Sequence, residues 1–312
     1  MKKILVCLFG IAALTTNAQD VYDYYEKINE GRKFVIDRDL SSALNSYRSA
    51  FEKYDHPFAR DCYNAIELSI SAKDTINLDF FLQKGLTRGI RIKDLESSGL
   101  TTNYLKSNFY KKIKEKEDSL LTIYSSKINW ELRNEVNQMF LEDQKMRELY
   151  YNSSFFKKRK IGKEWEVLNR KQIERLIEIT EQYGFPGENL IGIDRSEMHS
   201  KIRTNNYSAG MPIVILIHHF SQPNLSYDSL LLEEVKEGYL YNEHFATICD
   251  FEAQFGKAKY ENFGYYGLRH RPRKLDLHTL NLKRGEIGIL GFTEIDKLNR
   301  VRNLTKFWNR LY

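Results

Sequence analysis

Cysteine is almost absent from this 312-residue chain: three in all, at Cys7, Cys62 and Cys249. So few cysteines exclude a disulfide scaffold, since folds that depend on disulfides are small and cysteine-dense. No Gly-x-Ser-x-Gly elbow, His-Glu-x-x-His pair or phosphate-binding glycine loop occurs, so the familiar signals of a triad hydrolase, a zinc protease and a nucleotide enzyme are missing. There is no uncharged run of roughly 20 apolar residues, so no transmembrane segment is expected. Charge of one sign is lacking too, with 48 basic against 42 acidic residues, a balance that does not call for a polyanionic partner.

What the N-terminus does have is a leader pattern. Lys2 and Lys3 precede an apolar stretch from Ile4 to Leu14, which ends at Thr16-Asn17-Ala18 before Gln19. That order predicts a cleavable signal peptide over 1–18 and a mature chain that is exported, periplasmic or secreted. Cys7 lies too early for lipid attachment. Cys62 and Cys249 would remain in an oxidising compartment, where they either pair or serve as small buried apolar groups; their apolar surroundings favour the second. Export makes nucleic acid and nucleotide cofactors improbable partners and points to an envelope glycan, peptide or protein.

Apolar residues spaced three and four apart predict helices over Val21–Ile36 and Leu40–Tyr54, broken at Asp37-Arg38-Asp39, and over Phe58–Ala72 and Ile76–Gly89, broken at Lys73-Asp74-Thr75. Gly31, Ala43, Tyr47, Ala50 and Phe51 follow the small-and-aromatic spacing of nested hairpins, so the first unit resembles a tetratricopeptide repeat. An ordinary antiparallel helix array is the alternative. The expected fold is therefore mainly α: tetratricopeptide-like hairpins over 19–125, then a helical domain with Gly/Pro-rich loops over 126–312. Further helices are expected at Asn108–Tyr124, Ile128–Tyr151, Lys163–Tyr183, Ser196–Thr204, Pro212–Phe220, Tyr227–Glu237, Glu243–Phe255 and Thr293–Tyr312. The run Ile213–Ile217 would also suit a buried strand.

Candidate chemistry gathers in the second half. Asp143 and Arg147, four apart on one helix face beside Gln144, can pair with each other, or Asp143 can hold Arg147 for an anionic ligand. His218 and His219 end an apolar segment, and neighbouring helix positions point about 100° apart, so at most one faces the core. A histidine there is more often a satisfied core residue than a catalyst. Asp250 can orient a histidine or act as a structural cap. No spacing among the histidines fixes a metal, and no cofactor is expected. The basic runs Lys157–Lys160 and Arg269–Lys274 have the character of solvated loops.

Taken in order, Met139, Asp143-Gln144 with Arg147, Gly184-Phe185-Pro186, Gly192, His218-His219, Gly238, Asp250, Gly256 and Phe263-Gly264 make residues 132–291 similar to an uncharacterised bacterial domain family found in exported proteins. Pro272, Asp276, Asn281, Arg284 and Gly288 resemble a closing segment of that family. Phe251 stands where the family has arginine, and the family's glutamine and Tyr-Gly-Thr have no direct counterpart around Lys259–Tyr265. The resemblance implies convergence of Asp143, Arg147, His219, Asp250 and Arg284 on one pocket, and it carries no reaction with it. Two functions follow as expectations. One is a binding protein holding an anionic ligand through Arg147 and Arg284, with Gln144 and His218 alongside. The other is an enzyme, a hydrolase, with His219 as general base oriented by Asp143 or Asp250.

Overall fold

The computed structural model describes residues 2–96, 108–195, 208–218, 227–255, 266–268 and 276–301, with the backbone alone for 2–18, 96 and 108–109. The expected helix Ser196–Thr204, His219 and the runs 256–265 and 269–275 lie outside the described residues. Thirteen helices and no strand occur among the described residues, so the chain is mainly α. In chain order they are α1 Lys2–Ile36, α2 Leu40–Lys53, α3 Ala59–Ala72, α4 Thr75–Thr87, α5 Ile92–Glu96, α6 Asn108–Ser126, α7 Trp130–Tyr151, α8 Phe155–Tyr183, α9 Met211–His218, α10 Asp228–Lys236, α11 Asn242–Phe255, α12 Leu277–Glu286 and α13 Phe292–Arg300. No helix there is long and apolar enough to cross a membrane.

Helix starts are fixed locally. Asp39 accepts from Ser42 N, Asp74 from Ile76 N and Asn77 N, Asn129 from Leu132 N and Asp276 from His278 N, each satisfying main-chain donors that a first helical turn leaves open. The preceding turns use left-handed backbone at Arg38 (φ 63°) and Lys73 (φ 57°). Ile213–Ile217 belongs to α9 rather than to a strand; Pro212 sits in its first turn, where no intrahelical N–H is needed.

α1 packs on α2, α3 on α4 and α4 on α6, while α7 packs on both α8 and α9. Tyr47 lies so close to Gly31 that a side chain there would collide with its ring. Most of the buried apolar residues, from Val21 to Leu298, form one cluster with members on both sides of residues 125–126. α1 also touches α10 and α13, and Asn29 donates to the Gly288 carbonyl at 2.7 Å. Gly192 (φ 73°) lets the chain pass over the Tyr124 hydroxyl and the Arg133 guanidinium, which a Cβ would strike.

Two helices lie at the centre. Residues 59–69 of α3 and 242–250 of α11 are all buried, polar ones included. Buried charges need partners, because desolvation of an isolated ion is prohibitive. Here Glu243 bridges Arg32 Nη1 at 3.0 Å and Arg60 Nη1 at 2.9 Å, while Arg32 Nη2 also reaches Asp61 at 3.1 Å and the Tyr241 hydroxyl at 2.9 Å. Tyr24 donates to the other Asp61 oxygen at 2.7 Å. Burial raises the Asp61 carboxyl despite Arg32; at Glu243 the opposing guanidiniums of Arg60 and Arg32 outweigh burial and hold it low.

Candidate functional site around Asp143 and His218

Polar residues on α8 recur at Trp165, Asn169 and Gln172, a spacing of four and three that places them on one helix face. That face meets α7: Gln172 Nε2 donates to the Met139 carbonyl at 2.8 Å, and Trp165 Nε1 and Asn169 Nδ2 donate to Asp143 Oδ1 at 2.8 and 3.1 Å. Asp143 Oδ2 accepts from Gln144 Nε2 at 3.0 Å and lies 2.7 Å from His218 Nδ1 at the end of α9. The carboxylate is fully buried, whereas the His218 side chain keeps 19% of its surface open and meets the Trp165 indole edge-on at 5.4 Å.

Four donors thus converge on one carboxylate. Burial pushes the Asp143 carboxyl up, but the hydrogen bond and charge of His218, with Trp165 and Asn169, outweigh it and hold it below the ordinary aspartate value. An ionised Asp143 only accepts, so Nδ1 of His218 carries the proton, and in the neutral ring Nε2 is left as the basic lone pair. A carboxylate that fixes the tautomer of a partly open imidazole is an arrangement able to move protons.

The neighbouring candidates are distributed otherwise than spacing suggested. Asp143 and Arg147 are not paired; Gln144 stands between them, its Oε1 3.5 Å from Arg147 Nη1. Arg147 is exposed, with its guanidinium 5.7 Å from the centre of the Tyr151 ring. Asp250 and Arg284 meet at a different place. Asp250 accepts the main-chain N–H groups of Tyr266, Gly267 and Leu268 at 2.6, 3.1 and 2.6 Å. Arg284, wholly buried, donates to the carbonyls of Tyr266 and Leu290. Both hold the 266–268 turn, so Arg284 is a main-chain staple rather than an exposed anion holder, and Asp250 caps the turn's N–H groups. His219 lies outside the described residues; His218 is brought to the Asp143 carboxylate.

Trp165 and Asn169 belong to no catalytic motif, but their interval of four on an otherwise charged helix is a usable signal. Glu188 and Asp194 carry no sequence signal of their own. Burial pushes both carboxyls up to about 7; Glu188 accepts from Ala59 N at 2.8 Å, and Asp194 from Gly210 N at 2.7 Å. Among the described residues no group of three His, Cys, Asp or Glu side chains is placed to hold a metal ion. Cys62 and Cys249 are both free and buried.

Comparison of the chain with protein-family models, with curated proteins and with solved structures gives no match.

Proposed function

We propose that the mature chain is an exported envelope enzyme of hydrolytic type, acting on an anionic substrate, in which His218 is the general base and Asp143 its orienting carboxylate. The observation that carries this reading is the 2.7 Å contact between a buried, fully satisfied Asp143 and a partly open His218. Nε2 takes a proton from water, the resulting hydroxide oxygen attacks the electrophilic centre, and the departing group takes the proton back from Nε2. Asp143 stabilises the transient imidazolium. Arg147, exposed one turn along α7 and linked to the dyad through Gln144, supplies the positive charge for the anionic group.

The test is a panel of activated carboxylic and phosphoric esters and anionic envelope glycans, assayed with the mature protein and with His218→Asn, which preserves a donor at the Nδ1 position. Loss of a general base lowers turnover by about 10²–10⁴-fold, while Tm stays near that of the parent. Activity unchanged by H218N rejects the base assignment. A ligand-induced thermal shift that R147A abolishes, without any turnover, would leave the protein a binder of the same anionic class.

A further inference from the structure

The far end of the α7–α8 hairpin is built unlike the other described segments. From Lys145 to Leu168 not one residue is buried, so the two helix ends and the turn between them form a finger projecting beyond the core. Its tip carries Phe155 and Phe156, 83% and 88% exposed, the two most exposed large apolar side chains among the described residues. Tyr151 and Leu149, also exposed, stand beside them, and the two Phe rings meet edge-on at 5.8 Å. Single exposed apolar residues need no explanation, but a paired aromatic wedge at a convex tip does.

The charge on the stretch that carries the wedge is one-sided, although Glu148 and Glu164 flank it and Glu164 lies 3.8 Å from Lys160. Between Leu149 and Lys163 the sequence has five basic residues, Lys157, Lys158, Arg159, Lys160 and Lys163, and no acidic one. Lys157 and Lys158 fall in the first turn of α8, where no acidic side chain is present and the Ser154 side chain makes no capping bond. Cations at that end of a helix oppose its macrodipole, so the arrangement works against local stability. A rule broken locally without a structural return marks a surface shaped for something outside the chain. Behind the tip, Lys158 Nζ lies 5.6 Å from the centre of the Tyr150 ring and the Arg147 guanidinium 5.7 Å from that of Tyr151.

We infer that this finger docks the protein on an anionic lipid surface, with Phe155 and Phe156 entering the headgroup–acyl boundary and the basic cluster facing the lipid phosphates. Apolar insertion and electrostatic attraction are each weak alone; together they give stable but reversible peripheral binding. A soluble polyanion would engage the cations and leave the phenyl rings in water, so the aromatic wedge is what selects a bilayer. The inference stands apart from the assignment of His218.

Vesicle sedimentation of the mature chain tests it, with phosphatidylglycerol–phosphatidylcholine against phosphatidylcholine alone. Binding is expected on the acidic vesicles only and should weaken with added salt. F155S/F156S should reduce affinity at least about tenfold, and each of K157Q, K158Q, R159Q and K160Q about fivefold. All these positions lie outside the core, so the thermal transition should not fall, and relief of the helix-dipole conflict can only raise it slightly. An F156W reporter should shift its emission to the blue on the acidic vesicles. Equal binding to neutral vesicles, affinity indifferent to F155S/F156S, or equally tight binding to soluble polyphosphate that ignores the Phe pair would each overturn the proposal.

Discussion

Glu243→Gln tests the centre of the fold. The carboxylate joins α11 to α1 and α3 across 211 and 183 residues of sequence, with one oxygen on Arg32 at 3.0 Å and the other on Arg60 at 2.9 Å, all three side chains buried. With Asp61 the cluster holds two cations and two anions, so its charges balance. Glutamine keeps the shape and one acceptor oxygen but removes the charge, and its amide N–H₂ faces a guanidinium. The magnitude is set by the cation left uncompensated rather than by any gain from the original pair; one-sided removal from a buried ion pair costs about 3–5 kcal/mol. Against the usual domain stability of about 5–15 kcal/mol this is a large fraction. Urea unfolding should show a lower midpoint with an unchanged slope, and Tm should fall by roughly 6–20 °C. Adding R60Q should recover part of the loss, because it removes the stranded cation. A loss under about 1 kcal/mol for E243Q, or an R60Q effect that simply adds to it, would refute the account of a dry, balanced cluster. The network ties the first third of the chain to the last, so unfolding should remain one transition in both proteins.

Glu188 gives a pH prediction of opposite sense to an ordinary carboxylate. Its folded pKa is raised to about 7 from 4.5 by burial, so the fold favours the protonated form, and that stabilising preference is lost as pH rises through about 7. Glu188→Gln should therefore be more stable than the parent by about 3 kcal/mol above pH 8, and little changed near pH 4.5, in paired melts. Asp143 behaves in the usual sense: its lowered folded pKa contributes stability above the ordinary aspartate value that disappears as pH falls through the folded one. Asp143→Asn should flatten the acid limb of the stability profile, which an acid titration followed by circular dichroism checks. Burial pushes both thiols up, so Cys62 and Cys249 should resist a thiol reagent in the native protein and both react in guanidinium; a disulfide found under native conditions would contradict the structure.

Helix ends were legible in the sequence because they are decided within a few residues. The turns at Asp37-Arg38-Asp39 and Lys73-Asp74-Thr75 announce themselves through capping aspartates, and the structure caps α2 and α4 there. α9 was ambiguous for a physical reason: five of its eight residues are buried, so its apolar run shows no helical period. The first two turns of α8 have the sequence character of a loop because they bury nothing and so have no apolar stripe. α12 was missed because exposed Leu277 and Leu282 blur its buried positions, Leu280 and Arg284. Within the site, spacing offered Arg147 as the partner of Asp143, yet its partners His218, Trp165 and Asn169 come from 75, 22 and 26 residues away. Local periodicity cannot weigh such contacts. Nor does it separate a buried arginine that staples main-chain carbonyls, as Arg284 does, from one held ready for a ligand.

The hairpin that carries the site also carries the finger, and helix geometry relates the two. Trp165, which touches both Asp143 and His218, lies ten residues after Phe155 on one continuous helix, roughly 15 Å at 1.5 Å per residue. Amphipathic insertion reaches about 5–10 Å into the headgroup–acyl boundary. With the Phe pair at that depth and α8 along the membrane normal, Trp165 would stand roughly 5–10 Å above the boundary, which brings the dyad near the lipid headgroups. Activity toward a soluble anionic ester would then be indifferent to F155S/F156S, whereas activity toward an anionic group presented on a vesicle would fall with it. The two proposals therefore separate cleanly: H218N removes turnover on both substrates and leaves vesicle binding intact, while F155S/F156S removes vesicle binding and spares turnover in solution.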